Sequence, residues 1–340
     1  MQKVPFFDYP QLYLSQKDRM DAVISSVITK GAYILQDDLV QFENKLAEYT
    51  NSKYAIGVAN GTDAIWLALL AADIGTGDEV IVPSHTYIAS PAAIKFVGAE
   101  PILAECGDDH LLDPNDIQKR ITSKTKAIMP VQLNGRTCNM DSIIDIADRN
   151  NLLIIEDSAQ GLGSLYKDKM AGTFGLAGTY SFYPAKVLGC FGDGGAVVTN
   201  DEKMYSKVYE MRDHGRDNSG EHVSWGFNSR LDNLQAAILL EKFKTFEDDI
   251  KIRRDIASLY HEKLNDIQEL TMPPAPGSES DRFDTFQNFE IRCEQRDELK
   301  VFLADNGIGT LIQWGGKAIH QIRGLEFDCN DLDFTEKLFK

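Results

Sequence analysis

The chain has no stretch approaching 18 apolar residues, so nothing in its 340 residues reads as a membrane-spanning helix. It also lacks an N-terminal basic region followed by an apolar core, the mark of a secretory leader, and a cytoplasmic protein is expected. Its five cysteines, Cys106, Cys138, Cys190, Cys293 and Cys329, stand singly with no Cys-x-x-Cys pair. That pattern argues against a structural zinc site, and the odd number fits reduced thiols; no metal centre is expected. Positive charge is short too: 35 basic residues face 52 acidic ones, a net charge of -17. This balance disfavours nucleic acid and anionic membrane as partners but leaves room for a local pocket around a phosphate. No internal repeat or low-complexity tract is present.

What remains is ordinary soluble composition, 43% hydrophobic and 26% charged, in a chain long enough for about two domains. Residues 37 to 49 carry apolar positions at helical spacing. From residue 54 to 250 apolar strand-like runs alternate with helix-length segments. The strands are expected at Tyr54 to Ala59, Glu79 to Val82, Glu100 to Leu103, Ala127 to Val131, Leu152 to Ile155, Ala177 to Phe182 and Ala196 to Thr199. Helices are expected at Ala64 to Ala72, Thr86 to Phe96 and Asp141 to Asn150, the last capped by Asp141. Such alternation predicts an α/β fold with a mainly parallel sheet covered on both faces. One long helical region, Leu231 to Asn265, then leads through the proline-rich Met272 to Ser278 into a small α+β unit. That unit has a strand at Phe286 to Ile291, a helix at Arg296 to Asn306 and a further strand after Gly307.

The most informative residues are Asp157 and Lys186. The run Leu152 to Ile155 delivers Asp157 at a strand's C-terminal end; 29 residues later Lys186 sits in Ser181-Phe182-Tyr183-Pro184-Ala185-Lys186, just before Gly189-Cys190-Phe191-Gly192-Asp193-Gly194-Gly195. An amine, an acid and small hydroxyl and amide donors are what pyridoxal 5'-phosphate (PLP) needs for its aldehyde, ring nitrogen and phosphate. Gly61-Thr62 follows a strand and precedes a helix, so free backbone N–H groups and the helix dipole face a possible anion there. Each feature has a plainer reading: lysines usually face solvent, a strand-end acid caps helices, and Asn60-Gly61-Thr62 makes an ordinary turn. Cys190, with no base beside it, reads as a packing residue.

Five blocks in order raise the chemical reading above the plain one: Gly61-Thr62-Asp63-Ala64, Ser84 to Ser90, Glu156 to Gly161, Ser181 to Gly195, and Gly226 to Ala237. Together they resemble the DegT/DnrJ/EryC1/StrS family, the sugar aminotransferase branch of the fold-type I PLP enzymes, over Gly31 to Gln321. The resemblance implies a large domain with a mainly parallel sheet between helices (residues 1 to 250) and a smaller α+β domain (251 to 340). Family members normally continue through a further strand and helix, so the second domain is expected to be incomplete. Lys186 matches the lysine that bonds PLP and moves the proton, and its presence argues against the dehydratase branch, where histidine stands there. Asp157 matches the partner of the ring nitrogen, Gln160 the glutamine near the phenolic oxygen, Tyr87 the aromatic stacked on the ring. Gly61, Thr62 and Ser181 match phosphate contacts. Asn228 matches an asparagine that reaches the phosphate from a neighbouring subunit, which implies a homodimer with shared sites.

On the substrate side the resemblance points to Tyr33, His214, Arg230 and His320; a structural ion pair for Arg230 and a surface position for His320 compete with it. Tyr87 and Gln160 likewise compete with core packing and a plain loop amide. His85 is not expected to be the base. The implied reaction moves an amino group from L-glutamate to a keto carbon of a nucleotide-linked 6-deoxyhexose, C3 in preference to C4, and dTDP in preference to UDP or GDP. Other keto substrates and a non-catalytic, PLP-binding regulator are the alternatives. A Rossmann NAD site is excluded because Gly192-Asp193-Gly194-Gly195 lacks the required spacing.

Overall fold

A computed structural model describes residues 3–327 and 331–339; Cys329 lies outside them. Seven short strands make the central sheet: β1 (Tyr54–Val58), β2 (Glu79–Pro83), β3 (Glu100–Ala104), β4 (Thr125–Ile128), β5 (Leu153–Asp157), β6 (Ala177–Ser181) and β7 (Gly195–Thr199). Their order across the sheet is β1-β7-β6-β5-β4-β2-β3. Runs such as Val80-Ile81-Val82 are buried throughout, as strands with helices on both faces must be. Pairing is parallel from β6 to β3, while β7 runs antiparallel to both β1 and β6. An apolar run carries no sign of its direction.

That reversal positions the site. The C-terminal ends of β1, β2, β5 and β6 lie along one edge, and antiparallel β7 brings its first residue, Gly195, to the same edge opposite Val58 and Ser181. Ligands of open α/β sheets bind outside this edge. The helix Gly61–Ala71 starts there, with Asn60 Oδ1 accepting from the Asp63 amide at 2.8 Å. Its buried Ala64, Ile65, Leu67, Ala68 and Leu69 fix it against the sheet.

Several expectations need correction. The helix Met140–Asn150 is capped by Asn139, whose Oδ1 accepts from Ser142 N at 3.3 Å, and Asp141 falls inside the first turn. The segment 84–88 is loop, and the helix expected from Thr86 begins at Ala89. The long helical region is two helices, Asn233–Phe243 and Phe246–Leu264. Lys244 and Thr245 close the first with i to i−3 bonds to Glu241 and Lys242, and Thr245 leaves helical geometry. Phe286 to Ile291 is no strand: Phe286 has φ +51° and is buried, while Phe289 stacks on Tyr260 at 4.7 Å. The rings of Phe286 and Phe289 stack with each other, 6.2 Å apart. After Gly307, Ile308 makes only an isolated bridge to Val4, and Gln313–Gly316 is a 3-10 turn.

Candidate active site

Asp157 ends β5 with 4% of its surface exposed. Its Oδ2 accepts from Ser90 Oγ at 2.7 Å and its Oδ1 from the Ala159 amide at 3.1 Å. Burial pushes its pKa up; the Ser90 and Ala159 bonds and the charge of Lys186 oppose that push. A buried carboxylate in this position calls for a cation. Lys186 is half-buried, in a turn closed by its own amide to Tyr183 O at 2.8 Å. Desolvation lowers its pKa to about 8 although Asp157 pulls the other way, so an appreciable fraction of the amine is free near neutral pH.

Between β1, β6 and β7 lies a tight backbone cradle. A Cβ on Gly61 would stand 2.7 Å from Ser181 Cβ, and one on Gly195 would fall onto Asn60 O and 2.8 Å from Gly61 N. The helix start therefore sits directly beside Ser181, and its first amides have no carbonyl of the helix to bond. Gly195→Ala should force Asn60-Gly61 away and destabilise the fold by about 1–3 kcal/mol, read as a lower urea midpoint.

Gln160 is half-buried and accepts from the Asn134 amide through Oε1 at 2.8 Å. Tyr87 is 57% exposed, and its ring centroid lies 5.5 Å from that of Trp314. The segment bearing Trp314 also brings His320 to the edge: His320 Nδ1 and Ser84 Oγ are 2.7 Å apart. The His320 side chain is enclosed, so the surface reading is corrected, and desolvation lowers its pKa. His85 is buried with Nδ1 3.2 Å from His110 O, and burial likewise lowers its pKa, which keeps the ring neutral.

Of the remaining sequence candidates, Asn228, His214 and Arg230 lie on the loop 213–230. Asn228 is exposed and bridges to Asp213; His214 is exposed with φ +59°. Arg230 pairs with Asp213 at 2.8 Å, as the ion-pair reading has it. Tyr33 is exposed and its carbonyl accepts from Asn233 N at 2.9 Å. Ser229 ties this loop to the cradle by donating to Asp63 Oδ2 at 2.6 Å. The thiol of Cys190 is fully buried and its pKa raised by desolvation, as suits a packing residue.

Sequence reasoning gave no role to three residues that hold this arrangement. Ser90 fixes Asp157. Glu156, fully buried on the other face of β5, accepts from Gln132 Nε2 and the amides of Gly172, Phe174 and Gly175. Gln287 bonds the chain on both sides of Lys186. Ser90 and Glu156 lay in blocks already singled out, and Gln287 in none.

The profile of the DegT/DnrJ/EryC1/StrS aminotransferase family matches residues 15–337. The chain is 42% identical to a dTDP-3-amino-3,6-dideoxy-alpha-D-galactopyranose transaminase of Aneurinibacillus thermoaerophilus, over 92% of this chain and 85% of that one. It is 40% identical to a dTDP-3-amino-3,4,6-trideoxy-alpha-D-glucose transaminase of Streptomyces venezuelae, over 92% and 82%. The crystal structure of S. venezuelae DesV superposes with a TM-score of 0.94 at 37% identity, covering 100% of this chain and 91% of that one.

Proposed function

The chain belongs to the DegT/DnrJ/EryC1/StrS aminotransferase family, and on that premise we propose that it aminates C3 of a keto-6-deoxyhexose carried on dTDP, with L-glutamate as donor. Members of this family bind PLP. The observation that carries the reading is the single sheet edge where buried Asp157, the desolvated amine of Lys186 and the Gly61–Ser181 cradle meet. The residues fit the cofactor: the cradle admits no Cβ, and the buried carboxylate of Asp157 suits a protonated ring nitrogen.

When bound, PLP supplies an aldehyde for an amine and a ring that draws electrons from the reacting carbon. Lys186 would hold the aldehyde end of the cofactor, and its free amine would carry the proton to and from the reacting carbon of donor and acceptor. Asp157, fixed by Ser90, keeps the ring nitrogen protonated. The amides of Gly61 and Thr62 and the Ser181 hydroxyl hold the phosphate. Tyr87 and Gln160 would contact the cofactor ring and its phenolic oxygen. On the substrate side stand Tyr33, His214, Arg230 and His320. Asn228, on an exposed loop, serves the phosphate of a second copy's site, so the working form is a homodimer. The same proposal divides the chain into a large domain to residue 250 and a small one after it, joined by the helix Phe246–Leu264.

The test is incubation of the PLP-loaded protein with L-glutamate and a dTDP-3-keto-6-deoxyhexose, with 2-oxoglutarate and the amino sugar read by mass. Stoichiometric formation of both is expected. Turnover with a 4-keto sugar alone would move the assignment to C4; no amine product from either sugar would sink it.

A further inference from the structure

One side chain from the C-terminal part of the molecule holds the backbone at Lys186. Gln287 is 9% exposed. Its Oε1 accepts from the Val187 amide at 2.9 Å, and its Nε2 donates to the Ala185 carbonyl at 2.8 Å. Those two groups belong to the peptide units immediately before and after the Lys186 Cα. A single primary amide therefore fixes both planes that set the direction in which the lysine side chain leaves the backbone. Only a side chain with one donor and one acceptor at this spacing can do so.

Gln287 is itself held firmly. Arg253 Nη1 donates to the carbonyls of Phe286 and Gln287 at 3.3 and 3.2 Å, and Thr285 N donates to Gly135 O at 2.8 Å. A Cβ on Gly135 would stand 2.7 Å from Gln287 N and 2.8 Å from Phe286 N, so the segment crosses this loop with no room for a side chain. Phe286, at φ +51° and buried, turns the segment so that Gln287 faces the lysine loop. Backbone held in a sparsely populated region needs such over-determined surroundings. The same segment continues to Asn288, whose Nδ2 donates to Asn134 Oδ1 at 2.9 Å; the Asn134 amide in turn bonds Gln160. It thus touches the supports of two candidate cofactor residues that lie 26 positions apart.

We propose that Gln287 is a positioning residue for Lys186, holding its amine in line for proton transfer. This rests on the aminotransferase reading above. Proton transfer is sensitive to placement, and misplacement by about 1 Å costs on the order of 100-fold. Substrate binding does not depend on the amine's direction, so the loss belongs in kcat and not in KM.

The test uses Gln287→Met, close in volume but without polar atoms, and Gln287→Glu, which keeps the acceptor for Val187 and loses the donor to Ala185. In the PLP-loaded protein Q287M should lower kcat roughly 10- to 100-fold per bound PLP, with KM for glutamate within about twofold. Q287E should fall between Q287M and the wild type. In both cofactor-free and loaded protein, hydrogen exchange at the Val187 amide should be slow in the wild type and in Q287E, and at least about tenfold faster in Q287M. Wild-type kcat per bound PLP in Q287M would overturn the proposal, as would an unprotected Val187 amide in the wild type. If Q287M does not fold, kcat in Q287E within twofold of wild type overturns it. Exchange needs no cofactor, so it judges the clamp separately. A wild-type protein inert to glutamate would count against the aminotransferase reading, and Val187 exchange would still report on Gln287.

Discussion

Lys186→Ala is expected to leave a folded chain whose transamination falls by 10^4-fold or more, on the order seen when a residue acting at the reacting bond is removed. The side chain is half-buried and its amine is desolvated, so its loss costs little stability. Lys186→Arg should be just as inactive. A guanidinium keeps its proton at any working pH and has no free electron pair for an aldehyde. The wild-type amine, with its pKa lowered to about 8 by desolvation, does have one. Capture of added PLP by cofactor-free protein should therefore speed up as pH rises towards 8 and level off above it, followed by the growth of the near-visible band of lysine-bound PLP. The linkage has a matching sign. Between about 8 and the ordinary lysine value the unfolded chain binds more protons at this position than the folded one, so the cofactor-free fold gains stability as pH rises through that window. Lys186→Ala should remove that gain, flattening the slope of urea midpoint against pH. A normal PLP band in Lys186→Ala would show that another amine holds the cofactor.

Asp157 and Lys186 were legible in the sequence because their signals are local. An apolar run ending in an acid, and a lysine flanked by small residues ahead of glycines, describe short stretches of backbone, and β5 and the turn at Tyr183 have that form. The helix start at Gly61 is local in the same sense. What holds these groups is not local. Ser90 reaches Asp157 across 67 residues, and Gln287 reaches the Lys186 loop from about 100 residues downstream. Neither pairing leaves a pattern in one chain. Phe286 to Ile291 misled for a related reason: a positive φ at Phe286 takes the backbone out of extended geometry, and its aromatic rings pack on each other and on the distant Tyr260. The competing surface reading of His320 fails likewise, because Ser84, which follows β2, meets its ring from 236 residues away. The antiparallel course of β7 also had to come from tertiary pairing, and without it Gly195 would not stand beside Asn60 and Ser181.

Glu156→Ala should be the most destabilising single change near the site. The carboxylate is wholly buried and gathers four donors: Gln132 Nε2 at 2.8 Å, Gly172 N at 2.7 Å, Phe174 N at 2.6 Å and Gly175 N at 3.0 Å. Three of these are amides of the turn that leads into β6, the strand whose last residue is Ser181. Truncation leaves buried donors without an acceptor, at about 1–3 kcal/mol for each that neither relaxes nor finds water. Partial relaxation brings the expected total to about 3–5 kcal/mol, a large share of a typical stability of about 5–15 kcal/mol. Glu156→Gln should lose less, because one oxygen remains for Phe174 and Gly175, while its NH2 group faces the donors from Gly172 and Gln132. Chemical unfolding followed by circular dichroism measures both. The order wild type, Gln, Ala in midpoint is the expected outcome. Activity should fall with it, since Glu156 and Asp157 are consecutive on β5 and a shifted turn moves the carboxylate that Ser90 holds. A Glu156→Ala midpoint equal to the wild type would mean that the turn at 172–175 is fixed by its own packing, and that the acid beside Asp157 has some purpose other than holding it.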